Sequence, residues 1–256
     1  MTLLTFFAVL VYLTNHISLA QTVAKSYTGW DCCKPICSST NNRAALLNTR
    51  GVARVCDKNN KFLAQSIGIN APTACVPPLP PLPFLPPPPT LPIPANAAYL
   101  CDSYQPVPVS NDLSYGFAIQ VSDNQNADNA NCCKCYQVQW LTGQAANKTM
   151  IVQVVTPGGS GGDVKKNDLI ILVPGGGFGA LGSVGCGGQY GAAGAGGVNN
   201  QGGVKNRPAC EKLPSNLQGG CYWRFNWAKG EVNGWDIFYR PVECPSRLTD
   251  ISGCKA

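Results

Sequence analysis

The chain has 256 residues, with 19 Lys and Arg against 13 Asp and Glu, for a formal net charge of +6. The basic residues are scattered, with no basic stripe interleaved with aromatics, which argues against nucleic-acid binding. The only histidine, His16, lies within the first twenty residues, so the remainder has neither a Ser-His-Asp or Cys-His site nor a histidine-ligated metal. Acid–base chemistry must come from carboxylates, Lys or Tyr.

Residues 1–20 read as a secretory signal. Leu3 to Leu13 is an apolar run too short to span a bilayer comfortably, and Ser18-Leu19-Ala20 is a small-x-small cleavage pattern before Gln21. A secreted, extracellular product is expected, with no membrane partner. Residues 21–256 suffice for a single domain with a real core. They hold all fourteen cysteines, an even count that implies up to seven disulfides in an oxidising compartment. The run Cys132-Cys133-Lys134-Cys135 is spaced too tightly for a zinc site. No metal and no cofactor are expected.

The hexapeptide Trp30-Asp31-Cys32-Cys33-Lys34-Pro35 sets a carboxylate between an indole and two adjacent cysteines. With both cysteines bridged, Asp31 would be rigidly mounted, as suits a group that must be aimed. The alternative is an exposed turn residue beside a disulfide knot. Further on, residues 76–94 carry eleven prolines. That segment should be an extended polyproline II insert on the surface.

The rest reads as strands and loops. Tyr136, Val138 and Trp140 alternate with glutamines as in a half-buried strand. Tyr115 to Val121, Met150 to Val155 and Trp235 to Tyr239 are similar, and Leu169 to Val173 reads as a strand buried on both faces. Pro157 to Gly162, Gly175 to Gly177 and the glycine-rich run from Gly185 to Gly203 read as loops. Helical signals are short, at Asn42 to Asn48 and a turn near Pro214. The fold class is all-β with long disulfide-stapled loops.

Two carboxylates stand out. Asp168 sits at the mouth of the apolar Leu169-Ile170-Ile171-Leu172-Val173 run, where partial desolvation would raise its pKa as a general acid needs. Asp31, more solvated, would stay ionised as a base. Two carboxyls in divergent environments are the pattern of glycoside hydrolysis. The competing reading of Asp168 is a strand-entry residue that hydrogen-bonds its own turn. Trp30 adjoins the candidate base and is favoured as a flat sugar platform. Trp223 and Trp227 are read as structural.

Together these residues carry a resemblance. The run from Trp30 to Cys37 resembles the signature of glycoside hydrolase family 45, the small secreted endo-β-1,4-glucanases. The likeness continues through Asn111-Asp112 and Gly116-Phe117-Ala118, through Cys132 to Tyr136 and Met150 to Gln153, and through Asp168-Leu169 to Gly177. It ends in Cys221 to Phe225 and Asp250 to Lys255.

The resemblance implies a six-stranded double-psi β-barrel with an open groove and hydrolysis of a β-1,4-glucan with inversion by a monomer. Asp31 would be the general base and Asp168 the general acid, with Trp30, Lys34 and Tyr190 as substrate-binding residues. The family also has an assisting Asp on a loop. Asp163 is the candidate here, although an ungapped match puts Ser160 at that place. The implied disulfides are Cys32–Cys186, Cys33–Cys75, Cys37–Cys132, Cys56–Cys101, Cys133–Cys254, Cys135–Cys244 and Cys210–Cys221. Gly29 stands where the family usually has Tyr, with Tyr27 two places earlier. A non-hydrolytic, expansin-like wall-binding protein is the alternative function.

Overall fold

The computed structural model describes residues 21–39, 51–75, 92–122, 131–158, 163–177, 182–191 and 203–255. The expected leader, most of the proline-rich insert, the helix expected at 42–48 and Ser160 lie outside the described residues.

Six strands close into a barrel: β1 (Thr22–Gly29), β3 (Leu113–Val121), β4 (Cys135–Trp140), β5 (Thr149–Gly158), β6 (Leu169–Leu172) and β7 (Trp235–Val242). The order is β3-β5-β4-β7-β1-β6, and β6 returns to pair with β3, so neither edge is left open. A two-residue strand, β2 (Val107–Pro108), extends the pairing at the start of β3. The β1–β6 and β3–β5 pairs are parallel and the remaining pairs antiparallel. This is the closed barrel that the resemblance implies.

The strands expected from alternation are all present. In β6, Leu169, Ile171 and Leu172 are buried, whereas Ile170 is only half-buried and lies on the outer side. Strand β1 carries no such signal, because its inward residues Ser26 and Thr28 are polar. Ser26 Oγ accepts from Trp140 Nε1 at 3.0 Å and donates to Val232 O at 3.0 Å, and Thr28 Oγ1 donates to Gly176 O at 3.2 Å. Buried hydroxyls are tolerated where they are paired in this way.

Two helical expectations need correcting. Gly182–Tyr190, which overlaps the start of the run read as loop from Gly185, is a helix held down by Cys32–Cys186. Ser215–Asn226, expected as a turn, is a 12-residue helix. There Trp223 packs on Trp140 and Trp227, with its Nε1 donating to Ser114 Oγ at 2.7 Å. Packing of its aromatic side supplies what its weak propensity pattern lacks.

The cysteines join as Cys32–Cys186, Cys33–Cys75, Cys37–Cys132, Cys56–Cys101, Cys133–Cys254, Cys135–Cys244 and Cys210–Cys221, the pairs that the resemblance implies. They fasten the loops to the barrel, closing stretches of 11 to 154 residues along the chain.

Candidate active site

Strand β1 and its continuation set the site by alternation. Ser26, Thr28 and Trp30 are buried, while Tyr27, Gly29 and Asp31 are half-buried on the opposite side. Asp31 therefore shares one face with Tyr27 and Gly29. Beside that face lies Ile170, paired with Tyr27 and close enough that a Cβ on Gly29 would come 3.0 Å from Ile170 Cγ2. Ile170 fills the space over Gly29, so a side chain at position 29 would have to displace it.

The mounting expected for Asp31 is present. Its Oδ1 accepts from Cys33 N at 2.9 Å, and the two following cysteines are bridged to Cys186 and Cys75. Cys32 has φ of 59°, the left-handed region that a non-glycine residue occupies only when its surroundings hold it there. Here the bridge to Cys186 and the Leu100 N–H to Cys32 O bond of 3.1 Å do so. The helix Gly182–Tyr190 presses on the same point, and a Cβ on Gly185 would collide with Asp31 O and Cys75 Sγ. Burial pushes the Asp31 carboxyl above the ordinary carboxylate range, and the Cys33 N–H opposes that rise. By exposure Asp31, half-buried, is still the more solvated of the two acids.

Asp168 stands at the entry of β6. It is 4 % exposed, its Oδ1 accepts from Lys25 N at 2.8 Å and its Oδ2 from Lys165 N at 2.8 Å. Its own N–H donates to Lys165 O at 3.0 Å, which closes the turn that leads into β6. It thus makes the turn contacts of a strand-entry residue, and through Lys25 N it is tied to β1, the strand that leads to Asp31.

The other candidates are also placed by their packing. Trp30 is 3 % exposed in the core, its N–H bonded to Gly177 O at 2.8 Å, so it offers no flat face to a sugar. Alternation turns it inward, and the aromatic on the outward face is Tyr27. Strand period, counted back from Asp31, is the signal that would have found Tyr27.

Lys34 Nζ donates to Ile69 O at 2.9 Å and Ala71 O at 2.7 Å, tying the hexapeptide to the end of the helix Gln65–Asn70. Burial lowers its pKa. Tyr190 is half-buried, its hydroxyl donates to Asn60 Oδ1 at 3.0 Å, and burial pushes its pKa up to about 12. Asp163 is exposed, and its backbone O accepts from Tyr27 Oη at 3.1 Å. Among the described residues no three His, Cys, Asp or Glu side chains converge as metal ligands would, and no helix is long and apolar enough to cross a membrane.

Comparison with known proteins agrees with this fold. The model of the family described as "Glycosyl hydrolase family 45" matches residues 94–255, a stretch that includes Asp163 and Asp168 and starts after Asp31. An endoglucanase of Cryptopygus antarcticus is 30% identical over 96% of this chain and 94% of its own. A Fusarium oxysporum protein inferred to be a type K endoglucanase is 35% identical over 93% of this chain, which spans 55% of that protein's length. The crystal structure of a cellulase from the Antarctic springtail C. antarcticus superposes with a TM-score of 0.70 at 27% identity, covering 93% of this chain and 98% of that one.

Proposed function

The chain belongs to glycosyl hydrolase family 45 and, with endoglucanases as its relatives across nearly its whole length, is a glycoside hydrolase; from that premise we propose that it is a secreted endo-β-1,4-glucanase that inverts the anomeric centre. The substrate class is cellulose or a related β-1,4-glucan. The observation that carries the mechanism is the mounting of Asp31, a half-buried carboxylate fixed by two bridged cysteines just beyond the end of β1.

In this reading Asp31 is the general base. It takes a proton from a water on one face of the sugar while the water oxygen attacks C1. A base whose proton affinity is raised toward the working pH is more effective than an ordinary carboxylate, provided that it is still ionised there. Rigid placement is the chain's main contribution, since about 1 Å of misplacement can cost roughly a hundredfold in rate.

A reducing-end assay over carboxymethyl cellulose, mixed-linkage glucan, xyloglucan and glucomannan, with product anomers followed by NMR, tests the reading. Release of reducing ends with the α anomer formed first is the expected result. The β anomer first would overturn inversion. Binding of glucan without release of reducing ends would overturn hydrolysis in favour of the wall-binding alternative.

A further inference from the structure

We propose that Asn147 is a site of N-linked glycosylation, taking an oligosaccharide from a lipid-linked diphosphate donor. The proposal rests on the reading above that the chain is secreted, since this transfer takes place on the secretory route.

Asn147-Lys148-Thr149 is the one Asn-x-Ser/Thr run in the chain, and its middle residue is not proline. The motif alone decides little, because the asparagine must also stand clear of the fold. Here it does. The run lies in the hairpin between β4 and β5, where the Asn147 N–H donates to Trp140 O at 3.0 Å and the Lys148 N–H to Ala145 O at 2.9 Å. Asn147 is exposed, with φ of 69°, a left-handed conformation that asparagine adopts more readily than most residues.

The neighbour faces the other way. Lys148 Nζ donates to Asn111 O and to Trp227 O, both at 2.9 Å, and lies 4.7 Å from the centre of the Trp227 ring. Lys148 thus pins the hairpin to the body of the protein while Asn147 stands in solvent. Among the described residues neither the Asn147 amide nor the Thr149 hydroxyl has a hydrogen-bond partner, so both groups that the motif requires are free. Two other asparagines share the backbone conformation without the motif. Asn60 and Asn167 have φ of 61° and 74°, but Phe62 and Leu169 stand two places on. Asn60 Oδ1 is also occupied, accepting from Asp102 N and Tyr190 Oη.

The step balances. The Asn147 side-chain nitrogen bonds to C1 of the donor's first sugar, the bond from C1 to the diphosphate oxygen breaks, and the nitrogen gives up one proton to solvent. The products are a glycosylated amide and the lipid diphosphate.

The test expresses the full chain in a yeast or insect secretory host, once with its own residues 1–20 and once with a host leader before Gln21. Protein from the medium should lose the mass of one glycan on treatment with peptide:N-glycosidase F, with Asp left at position 147 of the released peptide. Asn147→Gln and Thr149→Val should each abolish that loss, and Thr149→Ser should keep it. Unmodified Asn147 in protein recovered from the medium would overturn the proposal, as would a glycosidase-sensitive mass that survives Asn147→Gln. Retention with the chain's own leader and release with the host leader would sink the reading of residues 1–20 alone. The state of Asn147 in the released protein would then still decide this inference.

Discussion

The Asp168 carboxylate sits 2.8 Å from the Lys25 N–H and fastens the entry of β6 to the first half of β1. Its other oxygen holds Lys165 N at the same distance, so one side chain organises a turn and a strand pairing. Asp168→Asn replaces an acceptor oxygen with a donor and leaves a nearly buried N–H unpaired. A loss of about 1.5–3 kcal/mol is expected from that one charged hydrogen bond. Urea unfolding with the disulfides intact measures it, and an unchanged midpoint would contradict the anchoring role.

Asp31 should show the opposite balance. Its proton is held more tightly in the folded protein than in the unfolded chain, because burial penalises the anion. Ionised Asp31 therefore opposes folding. The penalty is absent below the unfolded value of about 3.9, grows as pH rises through the folded value, and is full above it. Asp31→Asn should raise or preserve the melting temperature at pH 7, with the difference shrinking near pH 3, while hydrolysis of glucan is lost. A clear drop in melting temperature at pH 7 would refute this.

The same shift sets the acidic limb of the pH profile. A base must be deprotonated to act, so activity in the unmutated chain should fall away on acidification at a pH above about 3.9. Initial rates on soluble glucan across pH 3 to 8 check it, and a limb at or below that value would count against Asp31 as the base.

Trp30 should behave as core. Its indole Nε1 finds no acceptor among the described residues, so Trp30→Phe removes no hydrogen bond and should leave KM for glucan unchanged. Trp30→Ala should cost about 3–5 kcal/mol of stability. A rise in KM for Trp30→Phe without loss of stability would restore the platform role.

Lys34 should likewise register in stability. Lys34→Met keeps the aliphatic stem and removes the bonds to Ile69 O and Ala71 O. A loss of about 1 kcal/mol with an unchanged KM is expected. Thermal melts and steady-state kinetics on the same preparation would separate the two.

Gly185→Ala probes the mount from behind. The added methyl collides with Asp31 O, within the fastened hexapeptide, and with Cys75 Sγ, the bridge partner of Cys33. The expected result is a fall in kcat larger than the fall in melting temperature implies, because displacement of the base is costly for rate.

The barrel was legible wherever side chains follow the strand period with apolar residues inward, as in Tyr136, Val138 and Trp140 or in Met150, Val152 and Val154. It was not legible in β1, whose inward Ser26 and Thr28 satisfy each other's surroundings through hydrogen bonds that only the closed fold supplies. The helix Gly182–Tyr190 was hidden by its glycines, which Gly185 shows to be a matter of close approach. Asp31 was legible because its setting is written into six consecutive residues. The position of Asp168 was not, because whether a carboxylate before a strand faces solvent depends on where the preceding turn folds, and that turn wraps the side chain in backbone N–H groups.

The β1 strand works like a caliper bar. Asp31 is the fixed jaw, bolted by two sulfur bridges to segments more than forty residues away in the chain. At its other half the bar is tied to the β6 side by hydrogen bonds alone, from Lys25 N to Asp168 and from the Tyr27 hydroxyl to Asp163 O. Thiol reduction would therefore loosen the jaw at Asp31 and leave those ties in place, so activity should fade under reductant before the barrel itself comes apart.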